Sequence, residues 1–258
     1  MILKVENLSC GYGKKTILEN INFSTKEGEL WCILGPNGVG KTTLFKSLLG
    51  LIPSKGGKIL LNNKEMKTLS QKEISKKISY VPQIHVPPFP FKVIEVILMG
   101  RNPHFSGKIS EKDLDVVENA MKLLNIEYLK DMPYTEISGG ERQLVLIARA
   151  IAQETDILVL DEPTSNLDFG NQIKVIDYLR DLVKIGKTVI MTSHFPDNAF
   201  LPETNLIIIG RNGFLKIGKG KDILTEDILE KIYNVNSKIV SLNNDFINTK
   251  ICVPIYKD

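Results

Sequence analysis

Cysteine is scarce in this 258-residue chain: Cys10, Cys32 and Cys252 lie far apart and form no C-x-x-C pair. Such spacing supplies neither a disulfide framework nor a zinc knuckle, and it reads as reduced structural thiols. Histidine is equally rare, and His85, His104 and His194 lack the spacing of metal ligands. The net charge is only +3, the lysines are scattered and aromatics make up 7% of residues, which argues against a nucleic-acid-binding surface. No apolar run approaches the roughly 18 residues that span a bilayer. The opening MILKVENLSC lacks the long apolar core of a secretion signal. Internal repeats and low-complexity segments are missing as well. The expectation is a cytosolic protein that meets a membrane only through a partner.

What the chain does have is an ordinary globular composition, 43% hydrophobic and 24% charged, and a length that allows one sizeable domain or a core plus a subdomain. Leu30-Trp31-Cys32-Ile33-Leu34 is a continuous apolar run, as expected of a strand buried on both faces. GPNGVGKTT follows at once, and Gly35, Gly40, Lys41 and Thr42 satisfy G-x-x-x-x-G-K-[ST]. The segment then continues as a helix with Leu44, Leu48 and Leu51 expected on one face. Strand, glycine loop and helix are the context in which backbone N–H groups turn inward around phosphate oxygens and the helix adds its positive end. Lys41 can reach the β- and γ-phosphates, and the Thr42 hydroxyl can ligate Mg²⁺.

A second apolar run, Ile157-Leu158-Val159-Leu160, ends in Asp161-Glu162-Pro163-Thr164. Ligands of parallel sheets bind beyond the carboxyl ends of strands. Asp161 is therefore the expected Mg²⁺ partner, through water, and Glu162 the group that polarises the water attacking the γ-phosphate. A third run, residues 188–192, ends at Ser193-His194. From position alone, a structural histidine and a phosphate-contacting one both stay open. These elements make a mostly parallel α/β core. Residues 93–129 and 137–153 read chiefly as helix, with turns at residues 101–107 and at Met132-Pro133. Leu144, Ile147, Ala148 and Ile151 should form the buried stripe of the second helix. Asn212-Gly213, between residues 206–209 and 214–217, signals a hairpin.

Taken together, these residues resemble the ATP-binding subunit of ABC transporters over at least residues 2–235. GPNGVGKTT looks like the family's Walker A, with Gly35, Pro36, Asn37, Gly38, Val39, Gly40, Lys41, Thr42 and Thr43 against the nucleotide. ILVLDEP looks like Walker B, with Asp161 on the metal and Glu162 as catalytic base. YVPQ, residues 80–83, looks like the Q-loop, whose Gln83 the family uses at the metal and in catalysis. SNLD, residues 165–168, matches the D-loop with Asp168, and His194 matches the switch histidine. Tyr12 sits where the family stacks a ring on adenine. ISGGE is similar to the LSGGQ signature, so Ser138, Gly139 and Gly140 would close on ATP held by a second copy.

The resemblance implies a P-loop NTPase (RecA-like) α/β core, with an N-terminal antiparallel β subdomain and an α-helical subdomain inserted at about residues 88–154. The ATPase domain would cover residues 1–240, leaving 241–258 as a tail without a motif. It further implies ATP and Mg²⁺, a homodimer with two ATP molecules at its interface, and no nucleic acid. VIEVILMGRNPH, residues 93–104, follows a proline-rich stretch (Pro82, Pro87, Pro88, Pro90) and resembles the region after the Q-loop in importers of iron chelates, haem, cobalamin and molybdate. In that group the region receives a coupling helix of a polytopic membrane permease, and an external binding protein delivers the substrate. Residues 223–235 look like the group's short C-terminal element. The expected location is cytoplasmic, peripheral on the inner face of the cell membrane through the permease. The competing reading is a soluble ABC ATPase such as one of iron–sulfur assembly. Two departures stand out: Glu141 replaces the signature glutamine, and Phe195-Pro196 follows His194 where many relatives have an acid.

Overall fold

The computed structural model describes residues 1–83, 89–105, 107–165, 167–243 and 248–255. Residues 84–88, with His85, Pro87 and Pro88, lie outside the described residues, as do position 106 of the turn read at 101–107, Asn166 of the D-loop and parts of the tail. The chain divides into two compact units, Met1–Thr68 with Ile190–Asp258, and Leu69–Val189.

The first unit opens with β1 (Leu3–Tyr12) and β2 (Lys15–Thr25), an antiparallel pair in which Val5 faces Phe23. β3 (Leu30–Leu34) is buried at all five residues, since the run offers no polar face to water. α1 (Lys41–Leu48) follows and buries Leu44, Phe45 and Leu48. Leu51 does not extend that face. The helix stops at Leu48, the Leu51 N–H folds back onto the Lys46 carbonyl at 2.8 Å, and the Leu51 side chain is exposed. β4 (Gly56–Leu61) and β5 (Lys64–Glu65) complete an antiparallel sheet of order β2-β1-β4-β5. This is the N-terminal antiparallel layer expected from the resemblance.

The second unit holds α2 (Gln71–Ser75), β6 (Ile78–Val81), α3 (Val93–Leu98), α4 (Glu111–Leu123), α5 (Gly139–Ala152), β7 (Ile157–Leu160) and α6 (Phe169–Lys184). β6 and β7 pair in parallel, Ile78 beside Ile157 and Val81 beside Leu160. Residues 93–129 are broken near the turn read at 101–107, and the break starts two residues earlier, at Met99. A 3-10 segment, Met99–His104, contains Pro103, which has no N–H to continue an α-helix. A Cβ on Gly100 would meet the Arg149 carbonyl oxygen at 2.2 Å, so this segment packs backbone to backbone on α5. Arg101 fastens it: its guanidinium bonds Asp113 Oδ1 at 2.9 Å and the Ala152 carbonyl at 2.6 Å. The Ser110 hydroxyl and then Arg101 hold the Asp113 carboxyl well below the usual carboxylate range. α5 departs from the expected stripe. Ile147 and Ala148 are buried, but Leu144 and Ile151 are only half-buried, while Val145, Leu146, Ala150 and Ala152 go inside. A helix covered on several sides needs a broader apolar face than a surface helix.

β8 (Thr188–Ser193), buried throughout, begins in the second unit and ends in the first. β9 (Asn205–Ile209) pairs in parallel with β3 and antiparallel with β10 (Leu215–Lys219). The turn between β9 and β10 runs through Asn212 and Gly213, both at positive φ, with the Phe214 N–H on the Arg211 carbonyl at 3.2 Å. α7 (Gly220–Ile223) and α8 (Glu226–Tyr233) follow. The part of the tail that is described forms a hairpin of β11 (Ser237–Asn243) and β12 (Asn248–Pro254). Among the described residues no helix is long and apolar enough to cross a membrane.

Candidate nucleotide site

The expected site residues fall into two sets, one in each unit. In the first, β3 delivers the chain to Gly35, where any side chain is excluded: a Cβ would sit 2.1 Å from the Ile209 carbonyl oxygen on the neighbouring strand. Gly40 ends the loop at φ 110°, a conformation that L side chains rarely adopt, and caps α1 without a side chain. Pro36, Asn37, Gly38 and Val39 lie between them, with Asn37 and Gly38 exposed and Val39 buried. Lys41 is buried and arches back over the loop, its ammonium donating to the Gly35 carbonyl at 2.6 Å and the Pro36 carbonyl at 3.1 Å. Burial pushes the Cys32 thiol on β3 up to about 12, and the Lys41 charge opposes that shift. Thr42 is exposed on the first turn of α1, whereas Thr43 is buried. A glycine loop that runs into a helix start, with one buried cation arched over it, suits a phosphate group.

Tyr12 closes β1 with a ring that is 45% exposed, and the Lys46 ammonium of α1 stands 5.7 Å from its centroid. An exposed aromatic face beside the loop's own helix suits stacking on a purine. Lys46 was not legible as a site residue, because a lysine in mid-helix carries no signal in sequence. His194 is half-buried just past β8. The chain after it is fixed by Ser193, whose hydroxyl oxygen accepts from the Phe195 N–H at 2.9 Å and from Asn198 Nδ2 at 2.7 Å. Those bonds fix the turn in which Phe195 stands.

In the second unit, the Asp161 N–H reaches the Val81 carbonyl at 2.8 Å, extending the β6–β7 ladder and setting a buried carboxylate at its end. Burial and then the Asp161 charge push the Tyr80 phenol up to about 12. Glu162 is buried and has φ 50°, a left-handed conformation that costs a non-glycine residue of the order of 1–3 kcal/mol. Its carboxylate accepts a hydrogen bond from the Gln83 side-chain amide. Ser165 donates its hydroxyl to the Glu162 carbonyl at 3.1 Å and so braces the same turn. Asp168 caps α6 by accepting from the Asn171 N–H at 2.9 Å.

The signature segment begins α5 with Ser138 as cap. Ser138 Oγ accepts from the Glu141 N–H at 3.2 Å, and the Glu141 carboxylate in turn accepts from the Ser138 N–H at 2.8 Å and hydroxyl at 2.7 Å. This reciprocal pair is a capping box. Glu141 therefore has a defined structural task, and its charge is engaged by the helix start and by the Tyr128 hydroxyl at 3.0 Å. Ser138, by its hydroxyl first, holds the Glu141 carboxyl below its ordinary range. A Cβ on Gly139 would meet nothing within 4 Å, so the first turn faces open space.

Phosphate loop, buried acid–glutamate pair and parallel strands define a P-loop nucleoside triphosphatase. The family model described as ABC transporter matches residues 18–165. The chain is 40% identical, over 95% of its length and 94% of the relative's, to an uncharacterized ABC transporter ATP-binding protein of Haemophilus influenzae. From the same organism, a molybdate import ATP-binding protein is 36% identical over 90% of this chain and 88% of its own. A solved inward-facing ABC transporter of metal-chelate type superposes with a TM-score of 0.87 at 33% identity, covering 99% of this chain and 98% of that one. The chain belongs to the ABC transporter family, as an ATP-binding subunit that hydrolyses ATP to power transport.

Proposed function

We propose that two copies of this chain pair around two ATP molecules and drive an importer of metal chelates or oxyanions through a polytopic permease. The molybdate-import relative and the metal-chelate transporter support that substrate range. The competing soluble ATPase draws support from neither. The helical insert at about residues 88–154 then serves as the permease-facing element, and the chain sits peripherally on the inner face of the membrane. An external binding protein supplies the substrate.

One observation carries the pairing: the start of α5. The capping box satisfies Glu141, while the N–H groups of Gly139 and Gly140 belong to a first helical turn that has no intrahelical acceptors. With Gly139 facing open space, that turn suits the γ-phosphate of a nucleotide held by the other copy. Ser138 adds its hydroxyl and Asp168 stands at the D-loop of the same unit.

Tyr12 stacks on the adenine. Residues 35–43 wrap the phosphates, and Lys41 exchanges its carbonyl partners for phosphate oxygens. The exposed Thr42 hydroxyl, the Gln83 amide and the buried Asp161 carboxylate are oxygen donors, a set that fits a hard divalent cation. As the resemblance implies, Thr42, Gln83 and Asp161 would hold Mg²⁺, which would offset charge on the phosphates. Glu162 takes a proton from the water that attacks the γ-phosphorus; the bond to the β–γ bridging oxygen breaks, and ADP and phosphate result. His194 holds the γ-phosphate in position. Closure on ATP and reopening after phosphate loss shift the permease between its two states.

Co-purification tests the reading. Expressed with a candidate polytopic permease, the chain should be retained with that protein in detergent, and its ATP turnover should rise. Retention by an iron–sulfur scaffold, with none by a permease, would favour the soluble ATPase instead.

A further inference from the structure

A cavity of about 370 Å³ lies in the first unit, well away from the phosphate loop in sequence, between residues 199–204, the end of β10 and the terminal hairpin. Three lysines line it: Lys219, Lys221 and Lys250. The opposing charge is small. Glu203, whose carboxylate is largely exposed, is 3.4 Å from Lys219 and 3.7 Å from Lys221. Lys250 contacts no carboxylate among the described residues, and its ammonium stands 5.9 Å from the Phe200 ring centroid. Ser241, Asn243 and Thr249 add hydroxyl and amide groups to the wall.

A second feature is independent of the lysines. Thr204, only 3% exposed, also lines the cavity, and its Oγ1, itself buried, has no hydrogen-bond partner among the described residues. Three lysines against the one carboxylate of Glu203, with hydroxyl and amide groups beside them, give the wall a net positive charge that suits an oxyanion. The volume falls within the range of small-ligand sites and exceeds what a bare anion fills.

The hairpin also holds the segment that follows His194. The Cys252 N–H of β12 donates to Asp197 Oδ1 at 2.6 Å, and residues 196–200 begin two positions after that histidine. A ligand bridging Lys250 on the hairpin and Lys219 would tie β12 to the end of β10.

We infer that the cavity is a second anion site, built for a phosphate group that is either free or carried on a lipid headgroup. The intact protein, saturated with a non-hydrolysable ATP analogue so that the phosphate loop is filled, is titrated with inorganic phosphate by calorimetry. In parallel it is floated with vesicles of phosphatidylcholine alone or with added phosphatidic acid. Lys221→Glu combined with Lys250→Glu should weaken the response at least tenfold. Lys14→Glu combined with Lys72→Glu, an equal charge change elsewhere, should leave it within twofold. Unchanged analogue affinity in both variants establishes that they fold. A response to phosphate identifies the free anion, and a response only to phosphatidic acid identifies the headgroup; either supports the site. Silence in both arms, or an equal loss in the control variant, overturns it.

Discussion

The side-chain amide of Gln83, two residues past β6, donates to the carboxylate of Glu162, two residues past β7. The parallel pairing of β6 with β7 sets this contact: Val81 lies beside Leu160, so the residues after each strand emerge together. An amide donor holds the buried glutamate in one orientation, and the left-handed backbone at Glu162 aims it. The residue proposed to sense the metal is thereby tied to the residue proposed to move the proton.

Replacing Glu162 with glutamine keeps an acceptor for Gln83 and removes the base. Steady-state turnover should fall by about 10² to 10⁴. ATP affinity, measured by fluorescence titration, should stay within a fewfold of the parent. Turnover at the parental rate would remove Glu162 from its role.

Lys41→Ala deletes a cation that now lies 2.6 Å from the Gly35 carbonyl. A lost charged hydrogen bond to phosphate corresponds to about 1.5–3 kcal/mol, roughly ten- to a hundredfold in ATP affinity. An unaltered dissociation constant would contradict the phosphate-loop assignment.

Gly35→Ala places a methyl group where the Ile209 carbonyl already lies, 2.1 Å away. Because backbone rather than a flexible side chain blocks it, β3 and β9 must separate. A lowered melting temperature together with weakened ATP binding is expected. A variant that melts and binds like the parent would show that the strands accommodate the methyl.

Ser138→Ala removes the cap of α5 and should cost about 1 kcal/mol in thermal unfolding. The box also has a pH signature. Because the folded state lowers the Glu141 carboxyl below its ordinary value of 4.5, its contribution is fully present above that pH. It is lost as pH falls through the lowered folded value. Glu141→Gln should therefore flatten the acid side of the melting-temperature profile near neutral-pH stability. A profile identical to the parent's would show that the carboxylate is not what holds the helix start.

Much of this was readable from local pattern. β3 and β7 are short runs of apolar residues with no polar face, and each ends at chemistry that only a strand end can present. S-x-x-E at Ser138 and Glu141 was equally available as a capping signature, and it gives Glu141 a structural task, although a glutamine would fill the same place. The end of α1 before Leu51 was marked locally, by Gly50 at φ 66° and Pro53 beyond it, but the periodic leucines outweighed that signal. Other features depended on tertiary context. The break read as a turn at 101–107 starts earlier, after Leu98, because Gly100 is pressed on the Arg149 carbonyl, a contact spanning 49 positions. Tyr128 over Glu141 and Lys46 over Tyr12 are likewise side-chain meetings that no spacing announces. The exposed Phe89 and Phe169 had no reading in sequence, because an apolar residue is scored as core until burial is seen.

The most direct test is the mass of the Glu162→Gln protein in solution with saturating ATP. Light scattering across a concentration series should move from the 28.9 kDa of one chain towards twice that value. The shift should vanish with ADP, or when Ser138 is also replaced by a bulky residue. A species that remained at 28.9 kDa with ATP at every concentration, both alone and with its permease in detergent, would contradict the shared-nucleotide pair.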